Sequence, residues 1–203
     1  MIEIIIFIIS GILIGIVAGL FGLGGGLLIV PVVTYSLVYF SHIPFTEAIL
    51  MGVSTSLASM MITGAMAVYA HNKNNNIDFQ IIRKFLPGVI IGSFIIGLFI
   101  KFIPGDFLRS FFIIYTFFIA YKLLTQSNTK KESSLPGNLN ASIISFIFSG
   151  ISALLGIGAA TLFVPYLISN NISSKLAIGT SSAFGFFIGF FATLATYINS
   201  SFN

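Results

Sequence analysis

The chain has 203 residues, of which 57% are hydrophobic, 15% aromatic and only 7% charged, with a formal net charge of +4 and a mean hydropathy of +1.08. A soluble domain carries about 25% charged residues, so this composition excludes a water-soluble globular fold and places the chain in a lipid bilayer as an integral membrane protein. The basic residues lie in short connections between apolar runs, which excludes nucleic acid as a partner, and the absence of cysteine excludes disulfides, thiolate metal sites and a redox dithiol.

The first residues, MIEIIIFIISG, lack the basic start of a secretory signal and carry Glu3, so they read as the opening of the first membrane helix. The apolar run from Ile4 to Phe40 is too long for one straight crossing. At about 1.5 Å per residue it would exceed a hydrocarbon core of roughly 30 Å nearly twofold, so it must turn or break. The run Gly24-Gly25-Gly26 is the place for that break, giving a helix to about Phe21 and a shorter one from about Leu27 to Tyr39. Pro31 then falls in the first turns of the second helix, where a missing donor costs least.

After the connection SHIPFTE, Thr46 is placed to cap the third helix and Glu47 suits its first turn, and that helix runs to about Ala70. The polar loop HNKNNNID follows, then helices over about Phe79–Phe102 and Phe107–Leu124. The stretch from Gln126 to Asn138 is the only linker of any length, and beyond it helices are expected over Leu139–Leu155, Thr161–Ser169 and Ser173–Ile198. The fold class is therefore all-α: a polytopic transmembrane bundle of about eight helices, two pairs of them forming glycine-broken hairpins. With eight helices, the loops after the third, fifth and seventh share one side and carry Lys73, Arg83, Lys84, Lys122, Lys130, Lys131 and Lys175, against Lys101 and Arg109 opposite. The positive-inside bias makes the richer side cytoplasmic.

The glycine break occurs twice. GLFGLGGGLLIVP, Gly19 to Pro31, and ALLGIGAATLFVP, Ala153 to Pro165, superpose with a shift of 134 residues that lays Gly22 on Gly156, Gly24 on Gly158 and Pro31 on Pro165. A second block follows each break: Val53-Ser54-Thr55-Ser56-Leu57-Ala58 matches Ile178-Gly179-Thr180-Ser181-Ser182-Ala183. This divides the chain into a first repeat over 1–125, a cytoplasmic linker over 126–138 and a second, partial repeat over 139–203. Nothing after Asn203 corresponds to the Phe79–Leu124 helices of the first copy, so the second copy is expected to be short by about two helices, as in a truncated or split protein. Eight helices make the repeats inverted; a single crossing at each break would make them parallel, and charge alone decides weakly between the two.

These doubled, ordered strings resemble the TauE/SafE family of membrane permeases, also called sulfite or sulfonate transporters, across nearly the whole chain. The resemblance implies a duplicated helical bundle in the cytoplasmic membrane that moves small anions, commonly sulfite, sulfonates or other organosulfur compounds, without a cofactor or metal. Ala159 and Ala160 depart from it, standing where glycines are usual.

Non-helical backbone survives at membrane depth only where protein or water covers it, and paired breaks in two halves point to a transporter's substrate site. Exposed N–H groups at helix starts can hold an anion without a buried cation. The candidate substrate-binding residues are therefore Gly22, Gly24, Gly25 and Gly26 at the first break, and Gly156, Gly158 and Thr161 at the second. Hydroxyls on the following helices complete the set: Ser54, Thr55 and Ser56, with Thr180 and Ser181, the two clusters facing each other. Close packing is the competing use of small residues, as at Gly11, Gly15 and Gly19, at Gly52, Ser56, Ser59 and Thr63, and at Gly88 and Gly92. Of the charged residues, Glu47 and His42 read as capping and surface groups, and Lys101, Arg109 and Lys122 as anchors of helix ends.

No Ser/His/Asp or paired-acid arrangement falls within the membrane, so an enzyme is not expected. The leading reading is a secondary permease for a small anion. Its competitor is a non-transporting subunit that completes its bundle with a partner chain or as a homo-oligomer.

Overall fold

A computed structural model describes residues 2–21, 25–125 and 135–201. Among these residues the chain forms eight α-helices and no strand: α1 Ile2–Phe21, α2 Gly26–Ser41, α3 Phe45–Lys73, α4 Phe79–Phe99, α5 Gly105–Thr125, α6 Asn138–Leu155, α7 Ala160–Ser169 and α8 Ser174–Ser201. Four spans, Phe45–Lys73, Phe79–Phe102, Asn138–Leu155 and Ser174–Asn199, are long and apolar enough to cross a membrane. The all-α, polytopic class expected from the sequence is the one observed.

Local chemistry sets most boundaries. Asp78 caps α4, its Oδ1 accepting from the amides of Gln80 at 2.8 Å and Ile81 at 3.1 Å. The last turn before Pro104 tightens into a 3-10 segment, Ile100–Phe102, so α4 does not continue to Phe102 as one α-helix. Thr46 is not the cap of α3. The helix starts one residue earlier, at Phe45, with the extended Pro44 ahead of it and no side-chain cap bond, because Pro44 contributes only its carbonyl to the first turn. At its other end α3 runs past Ala70 to Lys73, closed by the amides of Asn74 and Asn76 on the carbonyl of His71.

The centre of the molecule is α3, α4, α6 and α8. Ser145 Oγ donates to Phe85 O at 2.7 Å and Ser149 Oγ to Gly88 O at 3.3 Å, so α6 lies parallel to α4. A Cβ on Gly88 or Gly92 would run into the backbone of α6, so these two glycines serve packing. At one end of α4 the Asp78 amide donates to Thr180 Oγ1 at 3.1 Å, and at the other Asn199 Nδ2 donates to Leu98 O at 2.6 Å, which sets α8 parallel to α4 as well.

Helix α3 packs against α8 the other way. Gly179 meets His71, Gly64 meets Phe186 and Gly189 meets Met60, so the numbers fall along one helix as they rise along the other. The hydroxyl-bearing blocks of the two copies thus sit on antiparallel helices, the relation an inverted repeat requires. The short helices obey the same relation. From the first break α2 runs back along α3, Gly52 lying on Val30 and Thr34. From the second, α7 runs back along α8, Ala159 lying by Gly185. The two therefore start together and leave in opposite directions.

Helix α7 has 10 residues. At about 15 Å it cannot span a core of roughly 30 Å, and it is held by rings instead. Phe163 lies 4.6 Å from Phe184, 5.3 Å from Phe148 and 6.4 Å from Phe85 between ring centroids, joining α7 to α8, α6 and α4.

Candidate functional site

The second break is built by one residue in the left-handed region. Gly156 has φ +64 and closes α6, its amide donating to Ala153 O at 3.3 Å while that of Ile157 donates to Ser152 O at 3.0 Å. Leu155, Ile157 and Ala159 are fully or almost fully buried, so protein covers the irregular backbone as a membrane interior demands. At the first break Gly25, with φ 65 and ψ −33, precedes α2 and accepts from the amides of Leu28 and Ile29, both at 3.0 Å.

The two breaks meet. Gly26 lies against the backbone of Gly156 and Ile157 so closely that a Cβ there would overlap the Gly156 carbonyl oxygen. Ser56 Oγ, fully buried, donates to that same oxygen at 2.6 Å. Thr161 Oγ1 donates to Gly158 O at 3.0 Å and pairs at 3.0 Å with Tyr115 Oη, tying the turn before α7 to α5.

Beside this junction lies a cavity of about 470 Å³. Gly25 borders it from the first break and Gly158, Ala159 and Ala160 from the second; Met60, Thr63 and His71 come from α3, Ser181, Ser182 and Gly185 from α8, and Gly11 and Gly15 from α1. Three amides of the second break, those of Gly158, Ala159 and Ala160, have no carbonyl partner among the described residues. Ser181 Oγ is fully buried and has no hydrogen-bond partner there. The wall therefore sets neutral N–H and O–H groups, with Ser181 Oγ buried behind its surface, among Ile14, Ile29, Met60 and Ile178, and among the described residues it carries no acidic side chain. Such a lining suits an anion and repels a cation poorly solvated by it.

Of the sequence candidates, Gly25, Gly26, Ser56, Gly156, Gly158, Thr161 and Ser181 come together at the junction and the cavity. Three do not join them. Ser54 lies in a separate cavity of about 180 Å³ with Leu57, Thr193 and Tyr197. Thr55 is exposed and returns its hydroxyl to Met51 O at 2.7 Å, and Thr180 is occupied by the Asp78 amide. Gly22 and Gly24 lie outside the described residues, as do the side chain of Lys122 and, in the linker, residues 126–134. Glu47 and His42 are exposed at helix ends, His42 closing α2 with φ 53. Lys101 Nζ donates to Asn199 O at 2.9 Å, and the Arg109 guanidinium stands 4.8 Å from the Phe45 ring centroid.

Sequence reasoning passed over His71 and Tyr115 as site residues and assigned Thr63 and Gly185 to close helix packing. A signal existed for three of them. Thr63, Ala67 and His71 recur every four residues along α3, and Ile178, Ser181, Ser182 and Gly185 share one face of α8, the spacing of a single helical stripe.

A bundle of apolar helices interrupted twice around one donor-lined hollow is the architecture of a polytopic membrane transporter. Residues 7–203 match the family model described as sulfite exporter TauE/SafE, and the chain belongs to that family. It is similar to a protein of Haemophilus influenzae named probable membrane transporter protein, with 35% identity over 88% of this chain and 68% of the relative. A protein of the same description from Methanocaldococcus jannaschii is 30% identical over 86% of this chain and 65% of its own length. One from Bacillus subtilis is 25% identical over 87% and 72%. The chain thus spans about two thirds of the length of these relatives. No solved structure matches it.

Proposed function

We propose that this chain is a permease of the cell membrane for a small anion, sulfite, a sulfonate or another organosulfur anion, and that the anion binds in the cavity beside the paired breaks. The observation that carries the reading is the coincidence, beside one cavity, of the Gly158–Ala160 amides and a fully buried Ser181 hydroxyl, none with a partner among the described residues. Burying a polar group without a partner costs about 1–3 kcal/mol, and an anionic solute supplies what these donors lack. Neutral donors also let the anion go again, which a buried lysine would hinder. Transport proceeds by alternating access, the first repeat (1–125) moving against the second (139–203) about the junction of Gly26 and Gly156.

Flux into proteoliposomes tests this with sulfite, sulfate, taurine-like sulfonates and small carboxylates. Saturable, gradient-dependent flux of at least one of them is expected. Absence of flux for every anion, with the protein folded and inserted, overturns the reading.

A further inference from the structure

Among the described residues the cavity wall carries one titratable side chain, His71. It stands in the last turn of α3, and its imidazole makes no hydrogen bond among the described residues although the residue is half-buried. Its backbone is fixed twice over. The amides of Asn74 and Asn76 both close on its carbonyl, and Gly179 of α8 brings its backbone so near that an added Cβ would stand 3.2 Å from His71 Cβ. Its Cβ packs against α8, while the ring, with no hydrogen bond among the described residues, stands beside the cavity.

We propose that His71 receives the anion at its end of the cavity, as imidazolium, and that its protonation sets the affinity of transport. The proposal rests on the permease reading. Among the described residues no other charged side chain borders the cavity. On its own helix Lys73 is exposed; on α8 Lys175 is exposed; in the turn before α4, Asp78 has its carboxylate engaged by two amides; and none of the three borders the cavity. The residues that α1 contributes to the wall, Gly11, Ile14 and Gly15, carry no charge. An incoming anion therefore meets one switchable positive charge and, farther in, fixed neutral donors. Histidine changes charge between about pH 5 and 8, so the affinity falls as pH rises through that range.

Flux of methanesulfonate, which stays ionised throughout that range, is measured in proteoliposomes from about pH 5.5 to 8 for the wild type, His71→Gln and His71→Arg. The wild type is expected to show KM rising about tenfold with pH, the loss of one charge-assisted hydrogen bond. His71→Gln shows the high KM at every pH, and His71→Arg the low one. Saturable wild-type flux whose KM neither pH nor His71→Gln alters overturns the role of His71 and leaves the permease reading standing. Absence of methanesulfonate flux in the wild type, beside flux of other anions in the same vesicles, overturns the role of His71 for sulfonates; absence of all flux removes the permease reading itself.

Discussion

Ser56 and Gly156 are 100 residues apart in sequence, and the hydroxyl of the first donates to the carbonyl oxygen of the second at 2.6 Å. The bond fastens the middle of α3 to the point where α6 ends, and Gly26 rests on the same oxygen. One carbonyl released by the break thus becomes the place where the two halves of the chain are joined.

Ser56→Ala removes that donor and leaves the carbonyl buried. Between helices in a bilayer such a bond contributes about 0.6–2 kcal/mol. The expected outcome is a melting temperature lowered by a few degrees in detergent, with Ser56→Cys intermediate. An unchanged melting curve would mean that the bond adds nothing to the junction.

Glycine-to-alanine changes should divide sharply by position. Gly156→Ala forces a Cβ into a left-handed backbone and to within 3.1 Å of Val53, and Gly26→Ala drives one into the Gly156 carbonyl. Each is expected to cost about 2–3 kcal/mol. Gly11→Ala and Gly15→Ala meet nothing within 4 Å and should be neutral or stabilising through helix propensity. Thermal scans of the four purified variants, read side by side, check the division; equal losses at all four positions would contradict it.

Ser181→Ala and Thr180→Val separate binding from structure on adjacent residues. Ser181 Oγ has no hydrogen-bond partner among the described residues, so its alanine variant should keep wild-type stability while, on the proposed function, the KM for the anion rises severalfold. Thr180 accepts from the Asp78 amide at 3.1 Å, so its valine variant should lose about 1 kcal/mol of stability. Flux and melting temperature measured on both proteins decide, and the reverse pattern would remove Ser181 from the binding wall.

Gly185 offers a way to fill the cavity without straining the break. An added Cβ would stand 3.9 Å from Ala159, ordinary contact distance, and the residue borders the cavity. Gly185→Val should therefore leave the fold within about 1 kcal/mol and, on the proposed function, reduce flux of the larger sulfonates more than of sulfite. Size-independent flux in this variant would place the substrate elsewhere.

Much of this molecule was legible in its residues, and the failures are instructive. The glycine runs marked both breaks because consecutive glycines followed by proline serve no ordinary helix. Helix ends came within a few residues; at the start of α3 the cap position is held by Pro44 rather than Thr46. The hydroxyl block was harder. Thr55 and Ser56 are neighbours, yet one is exposed and bonded to its own helix while the other reaches the second break, because successive helical residues point about 100° apart. Ser56 and Ser181 hold matching places in the repeated block, and one is bonded while the other is buried beside the cavity with no partner among the described residues.

The sequence alone determined the solvent and the places where the helices break, since each follows from local hydrophobicity and from what glycine and proline permit the backbone. Tertiary structure decided that α3 and α8 run antiparallel, that Gly26 meets Gly156, and that His71 and Ser181 border one hollow. Those relations depend on how helices distant in the chain rotate and cross when they pack, and a pattern of residue types along one strand of sequence carries no record of its partner's angle.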